Sequence, residues 1–147
     1  MLRTTLTHPG ILEILASCGH GDQVAIVDSN YPAHARRHSQ VPFISVNVTH
    51  GLVDTPTMLR LVAETLPIEA LTIPRPDAGG EPEVRRQVHE SMLTVAREQC
   101  PDVPAGFVTP PEFYELTSSR SLALMIGTGE RSHFGSILIT VGYLPEQ

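Results

Sequence analysis

The strongest constraint in this chain is that its apolar periodicity keeps switching between extended and helical spacing. Val24-Ala25-Ile26-Val27 is a short continuous apolar run, the pattern of a strand covered on both faces. Phe43 to Val48, Ala70 to Ile73, Leu122 to Ile126 and Ile137 to Val141 are further extended candidates. Helical stripes lie between them. Ile11, Leu12, Ile14 and Leu15 follow His8-Pro9-Gly10, with proline near the start and Gly19 placed for a left-handed C-cap. Asp54-Thr55-Pro56 opens a helix carrying Met58, Leu59, Val62 and Leu66. Glu81-Pro82 opens the longest, with Val84, Val88, Met92, Val95 and Gln99 at steps of three or four. Glu112 to Ser118 reads as one more short helix. Asp28-Ser29-Asn30-Tyr31-Pro32 reads as a turn, and Pro74 to Gly80 as a surface loop.

Strands alternating with helices predict an α/β fold: one three-layer domain, its mostly parallel or mixed sheet flanked by helices. No internal repeat or boundary divides residues 1–147, a length that suits a single core.

Charge and composition narrow the partners. Ten Lys and Arg stand against 16 Asp and Glu, and a net charge of -6 repels phosphates, so nucleic acid is not an expected partner. The start of the chain, Met1-Leu2-Arg3-Thr4-Thr5-Leu6-Thr7, lacks the apolar core of a signal peptide. No apolar run approaches the roughly 18 residues of a membrane span. Cys18 and Cys100 make neither a disulfide framework nor a metal knuckle. The expected location is cytoplasmic, with no membrane partner and no metal.

Seven histidines are many for this length. His20, between Gly19 and Gly21, stands where backbone approaches closely and a side chain can face a cleft. An imidazole there can accept or donate a proton near neutrality. A histidine that merely hydrogen-bonds its loop would look the same from position alone. His8, before Pro9, reads as a helix lead-in. His34 and His38 stand four apart, as ligands on one helical face do, but no acidic or cysteine partner lies at a ligand spacing, so a solvated face is the expectation. His50, His89 and His133 carry no spacing argument. Asp28 ends an apolar strand, where ligands of α/β sheets collect, and an Asx-turn with Asn30 fits it equally well. Gly127-x-Gly129 lacks the third glycine and the following helix of a phosphate loop.

The local words of the sequence go further. His8-Pro9-x-Ile11-Leu12, Ala16-Ser17-x-Gly19-His20-Gly21-Asp22 and Asp28-Ser29-Asn30-Tyr31-Pro32-Ala33-His34 come first. Cys100-Pro101-Asp102, Phe113-Tyr114-Glu115 and Thr128-Gly129-Glu130-Arg131 follow in order. Together they resemble the ribose pyranase/L-fucose mutarotase family nearly end to end, leaning toward the fucose branch. The resemblance implies an enzyme that interconverts anomers, or pyranose and furanose forms, of a free monosaccharide without a cofactor. It implies His20 as the acid/base residue and Asp28 as a substrate ligand. It also implies a homo-oligomeric ring, often a decamer. Phe134-Gly135-Ser136 occupy the place of that family's Tyr-x-Asn, where residues touch the sugar. A phenol hydroxyl is therefore absent and a hydroxyl replaces an amide. Pro110 stands where the family has Arg or His, in a Thr109-Pro110-Pro111 stretch that reads as carrying an insertion.

Overall fold

The structure is a computed structural model, and it describes residues 2–76 and 87–146. The apolar run predicted as a doubly covered strand is β1, Gln23–Val27, and it takes a central place in a six-stranded sheet. The other strands are β2 (Phe43–Ser45), β3 (Ile68–Pro74), β4 (Ala105–Val108), β5 (Leu122–Gly127) and β6 (Ile137–Val141), in the order β2-β5-β1-β6-β3-β4. β1 pairs with β5 in parallel and with β6 antiparallel. β5 pairs with β2 in parallel, and β3 pairs with β4 in parallel and with β6 antiparallel. The sheet is thus mixed, with β6 alone running against the other five.

The period of two along each strand sends alternate side chains into two separate cores. Val24 and Ile26 of β1, with Ile137 and Ile139 of β6, enter the larger one. Ala25 and Val27, with Leu138, enter the smaller. Three helices cover the larger core: α1 (Pro9–Leu15), α3 (Thr55–Ala63) and α4, described over Gln87–Gln99. Two short helices, α2 (Ala33–Arg36) and α5 (Pro110–Thr117), contribute Ala33 and Phe113 to the smaller. On β5 a register irregularity opposite Gln23 and Val24 turns Leu122 to the smaller core while Leu124 faces the larger. The arrangement is the expected α/β three-layer architecture.

Several local expectations need correction. The first helix ends at Leu15, with Ala16 as a right-handed C-cap, so Gly19 is not the left-handed residue. The left-handed residue of this stretch is Gly21, with φ of 87°, in the turn that leads into β1 rather than at the helix end. His8 does lead in the helix, and its Nδ1 accepts from the Ile11 N–H at 3.3 Å. Phe43 to Val48 yields only the three-residue β2. The last short helix starts at Pro110, two residues before its expected start. Thr109 and Glu112 form a reciprocal capping box, and proline needs no N–H partner in a first turn. Both α2 and β4 lie in stretches with no assigned element. The helix start at Glu81-Pro82, Val84 of its stripe and most of the Pro74–Gly80 loop fall outside the described residues. Among the described residues no helix is long and apolar enough to cross a membrane.

Because β1 is hydrogen-bonded on both edges and packed on both faces, its side chains should be sensitive to truncation. Ile26 is fully buried. Ile26→Ala should cost about 2–5 kcal/mol, the usual effect of emptying such a position. Urea denaturation at fixed protein concentration should show a lower midpoint with an unchanged slope.

Candidate active site

The two ends of the sheet have different chemistry. The last residues of β1, β2, β3, β4 and β5 and the first of β6 meet at one end. There Asp28 follows β1, Ser136 precedes β6 and Thr109-Pro110 follow β4. This is the carboxyl edge at which α/β sheets gather ligands.

Asp28 is buried and firmly held. Its Oδ2 accepts from Ser136 Oγ at 2.6 Å and its Oδ1 from the Asn30 N–H at 2.9 Å, the second being the expected Asx-turn. The Asp28 N–H donates back to Ser136 Oγ at 2.9 Å. Burial pushes the Asp28 carboxyl above its ordinary range, and the nearby Glu130 carboxylate pushes the same way. The hydrogen bonds from Ser136 and Asn30 offset part of that rise.

Asp28 and Ser136 line a cavity of about 140 Å³. Asn30, Tyr31, Tyr114 and His133 add polar groups to its wall, while Pro74, Pro110, Phe113 and Phe134 make the rest apolar. Tyr31 is fixed by donating its hydroxyl to Thr117 Oγ1 at 2.5 Å, because that hydroxyl spends its own proton on the Phe113 carbonyl at 2.7 Å. A larger, open cleft of about 410 Å³ adjoins Asp28 and Tyr31, with His34, Ser45 and Asn47 among its lining groups.

The segment carrying Phe134, Gly135 and Ser136 is shaped by its backbone. Phe134 has φ of 60°, in the left-handed region that a side chain of this size rarely adopts. A Cβ on Gly135 would lie 2.6 Å from Glu130 Cγ and 2.9 Å from the Ser132 carbonyl, so only glycine fits there. His89, 1% exposed on α4, secures the turn. Its Nε2 lies 2.9 Å from the Phe134 carbonyl, which can only accept, so Nε2 carries the proton. Sequence spacing gave no hint of this role. The one usable signal was position, since His89 directly follows Val88 of the buried stripe.

His20 lies at the opposite end of the sheet. Gly21 before β1 bonds to Val141 at the end of β6, and Glu69 belongs to the start of β3. His20 Nε2 is 2.6 Å from Glu69 Oε2, with the two side chains 57% and 47% exposed. The structure therefore brings Asp28, Phe134 and Ser136 to one cavity and leaves His20 beyond the far end of β1. His34 and His38 do not share a helical face, since α2 stops at Arg36. His34 meets Phe43 edge-on, and His38 Nε2 accepts from Arg120 Nε at 3.2 Å. Among the described residues no three His, Cys, Asp or Glu side chains cluster to hold a metal.

The raised pKa of Asp28 makes a test. The folded chain keeps this proton to higher pH than the unfolded chain, whose carboxyl titrates near the ordinary 3.8. Stability from this group is therefore complete below that value and is lost as pH rises through the folded-state pKa. Asp28→Asn cannot ionise and keeps groups able to bond Asn30 and Ser136. Its denaturation midpoint, relative to the parent's, should climb as pH is raised from about 4. A difference that does not vary with pH would contradict the account.

Comparison with known proteins identifies the family and the fold. The model of the RbsD / FucU transport protein family matches residues 1–144. The structure of Bacillus subtilis RbsD complexed with D-ribose is 19% identical, covers 98% of this chain and 99% of that one, and superposes with a TM-score of 0.76. FucU from Bifidobacterium longum is 19% identical, with 93% and 94% of the two chains covered and a TM-score of 0.77. The fucose mutarotase of Streptococcus pneumoniae, in complex with L-fucose, is 19% identical, covers 94% of each chain and has a TM-score of 0.70. At these identities the solved structures share the fold, and the family match spans almost the whole sequence. The chain belongs to the RbsD / FucU family.

Proposed function

We propose that this protein is a cofactor-independent sugar mutarotase acting on a free monosaccharide, L-fucose or a related aldose, within a ring of identical subunits. The cavity at Asp28 carries this reading. Its polar side can take sugar hydroxyls, and its proline and phenylalanine side can take the methyl or carbon face of a deoxy sugar. Family membership and the ribose and fucose complexes of its structural neighbours support the same substrate class.

The chemistry is proton movement. His20 takes the proton from the anomeric hydroxyl; the oxygen's electron pair forms the carbonyl as the bond from C1 to the ring oxygen breaks. The ring oxygen leaves with that bonding pair and receives a proton. Rotation about C1–C2 followed by the reverse steps gives the other anomer. A single imidazole can serve in both directions, as base and as acid. Asp28, Phe134 and Ser136, which line the cavity, hold the sugar, while Gly135 lets the backbone between the last two pass close to Glu130.

His20 and Asp28 flank the whole of β1. Five extended residues at about 3.3 Å each separate them by about 15 Å or more, further than one monosaccharide reaches. The site is therefore shared, with His20 from one subunit facing the Asp28 cavity of the next. A second reading, a sugar-binding ring without efficient catalysis, draws on one observation. The Ser136 hydroxyl already donates to Asp28, so it has no proton left for a sugar.

Mixing variants tests the shared site. His20→Ala should lose anomer exchange with little change in Tm, because the ring is exposed. Asp28→Ala should lose exchange as well. Co-assembled by subunit exchange, the two should regain part of the parent activity, because some interfaces then pair two intact residues. No recovery in verified mixed oligomers would place both residues in one subunit's site.

A further inference from the structure

We propose that Glu69 is the positioning residue of His20, holding the imidazole in one tautomer and one orientation. The inference rests on the reading of His20 as the acid/base group. The carboxylate lies 2.6 Å from His20 Nε2. A carboxylate accepts, so the proton of a neutral imidazole sits on Nε2 and leaves Nδ1 as the base. Among the described residues Nδ1 has no hydrogen-bond partner. When Nδ1 takes a proton from the sugar, the imidazolium forms beside a fixed negative charge. Tyr143 limits the ring from another side, edge-on with centroids 5.4 Å apart.

The backbone is built to aim this carboxylate. In the β3–β6 pairing Ile68 faces Val141 and Ala70 faces Thr140, so Glu69 is the extra residue of a bulge. Bulges redirect a side chain at the cost of ladder regularity. Gly142 lies against the bulge, where a Cβ would stand 3.3 Å from the Glu69 nitrogen and 3.4 Å from the Ile68 carbonyl carbon. The Gly142 N–H also bonds to the Pro67 carbonyl at 2.8 Å. A surface ion pair this exposed adds little to stability, so the irregular strand and the glycine are poorly explained as a stabilising device. Aiming Glu69 at His20 accounts for both.

The experiment pairs kinetics with nitrogen-15 NMR on the full chain. In the parent, the neutral His20 ring should show one tautomer, with Nε2 protonated and Nδ1 bare. Glu69→Ala should bring in the Nδ1–H form, so the two nitrogen shifts move toward each other. Its kcat for anomer exchange should fall roughly 10–100-fold with KM little changed, by analogy with groups that orient metal-bound imidazoles. Glu69→Gln keeps an acceptor oxygen without the charge and should restore the single tautomer with an intermediate kcat. Melting curves of both variants should match the parent. If His20→Ala exchanges anomers normally, the reading of His20 as the base fails, whatever Glu69 does. If His20→Ala is inactive while Glu69→Ala keeps either the parent kcat or the single tautomer, the role of Glu69 alone is overturned.

Discussion

Everything in this molecule is arranged around β1. The strand is bonded to β5 on one edge and β6 on the other, and its alternate side chains fill two cores. With no freedom left in the strand, the residues at its two ends are fixed in place. Asp28 emerges at the carboxyl edge of the sheet, and the loop bearing His20 enters at the opposite end. In the function proposed above, a site that uses both is completed by a second copy of the chain.

At the Asp28 end, local strain is held by specific partners. A phenylalanine with left-handed backbone torsions costs free energy, and such a residue persists only where its surroundings impose it. Here the surroundings are the His89 bond to its carbonyl, the close packing of Gly135 on Glu130 and the two-way bonding of Ser136 with Asp28. The result is a buried carboxyl whose proton affinity is raised by burial and restrained by two hydrogen bonds. Tyr31, tied to Thr117, stiffens the adjoining wall.

The fold was legible in the sequence where hydrophobic burial decides it. Val24 to Val27 suited a doubly covered strand and formed one, and Met58, Leu59 and Val62 became the inner face of a helix as their spacing indicated. The misses have local causes. Ala105-Gly106-Phe107-Val108 holds a glycine and only half-buried apolar groups, too weak a signal for an edge strand. Pro110 read as part of an insertion ahead of a helix starting at Glu112, whereas the capping box between Thr109 and Glu112 makes it the first helical residue. Of the proposed site, His20, Asp28 and the Phe134-to-Ser136 segment were named only through words resembling a family. Glu69 and His89 were not legible, because they matter through contacts 49 and 45 positions away in the chain. No periodicity reports such separations.

Saturation-transfer NMR of the unmodified protein with a panel of aldoses tests most directly whether it exchanges the ring forms of a free sugar, as proposed. Irradiating one anomeric signal should diminish the other for at least one sugar, with L-fucose or a close relative foremost, and faster than in protein-free solution. Binding of a sugar with no exchange beyond the spontaneous rate across the whole panel would contradict the claim.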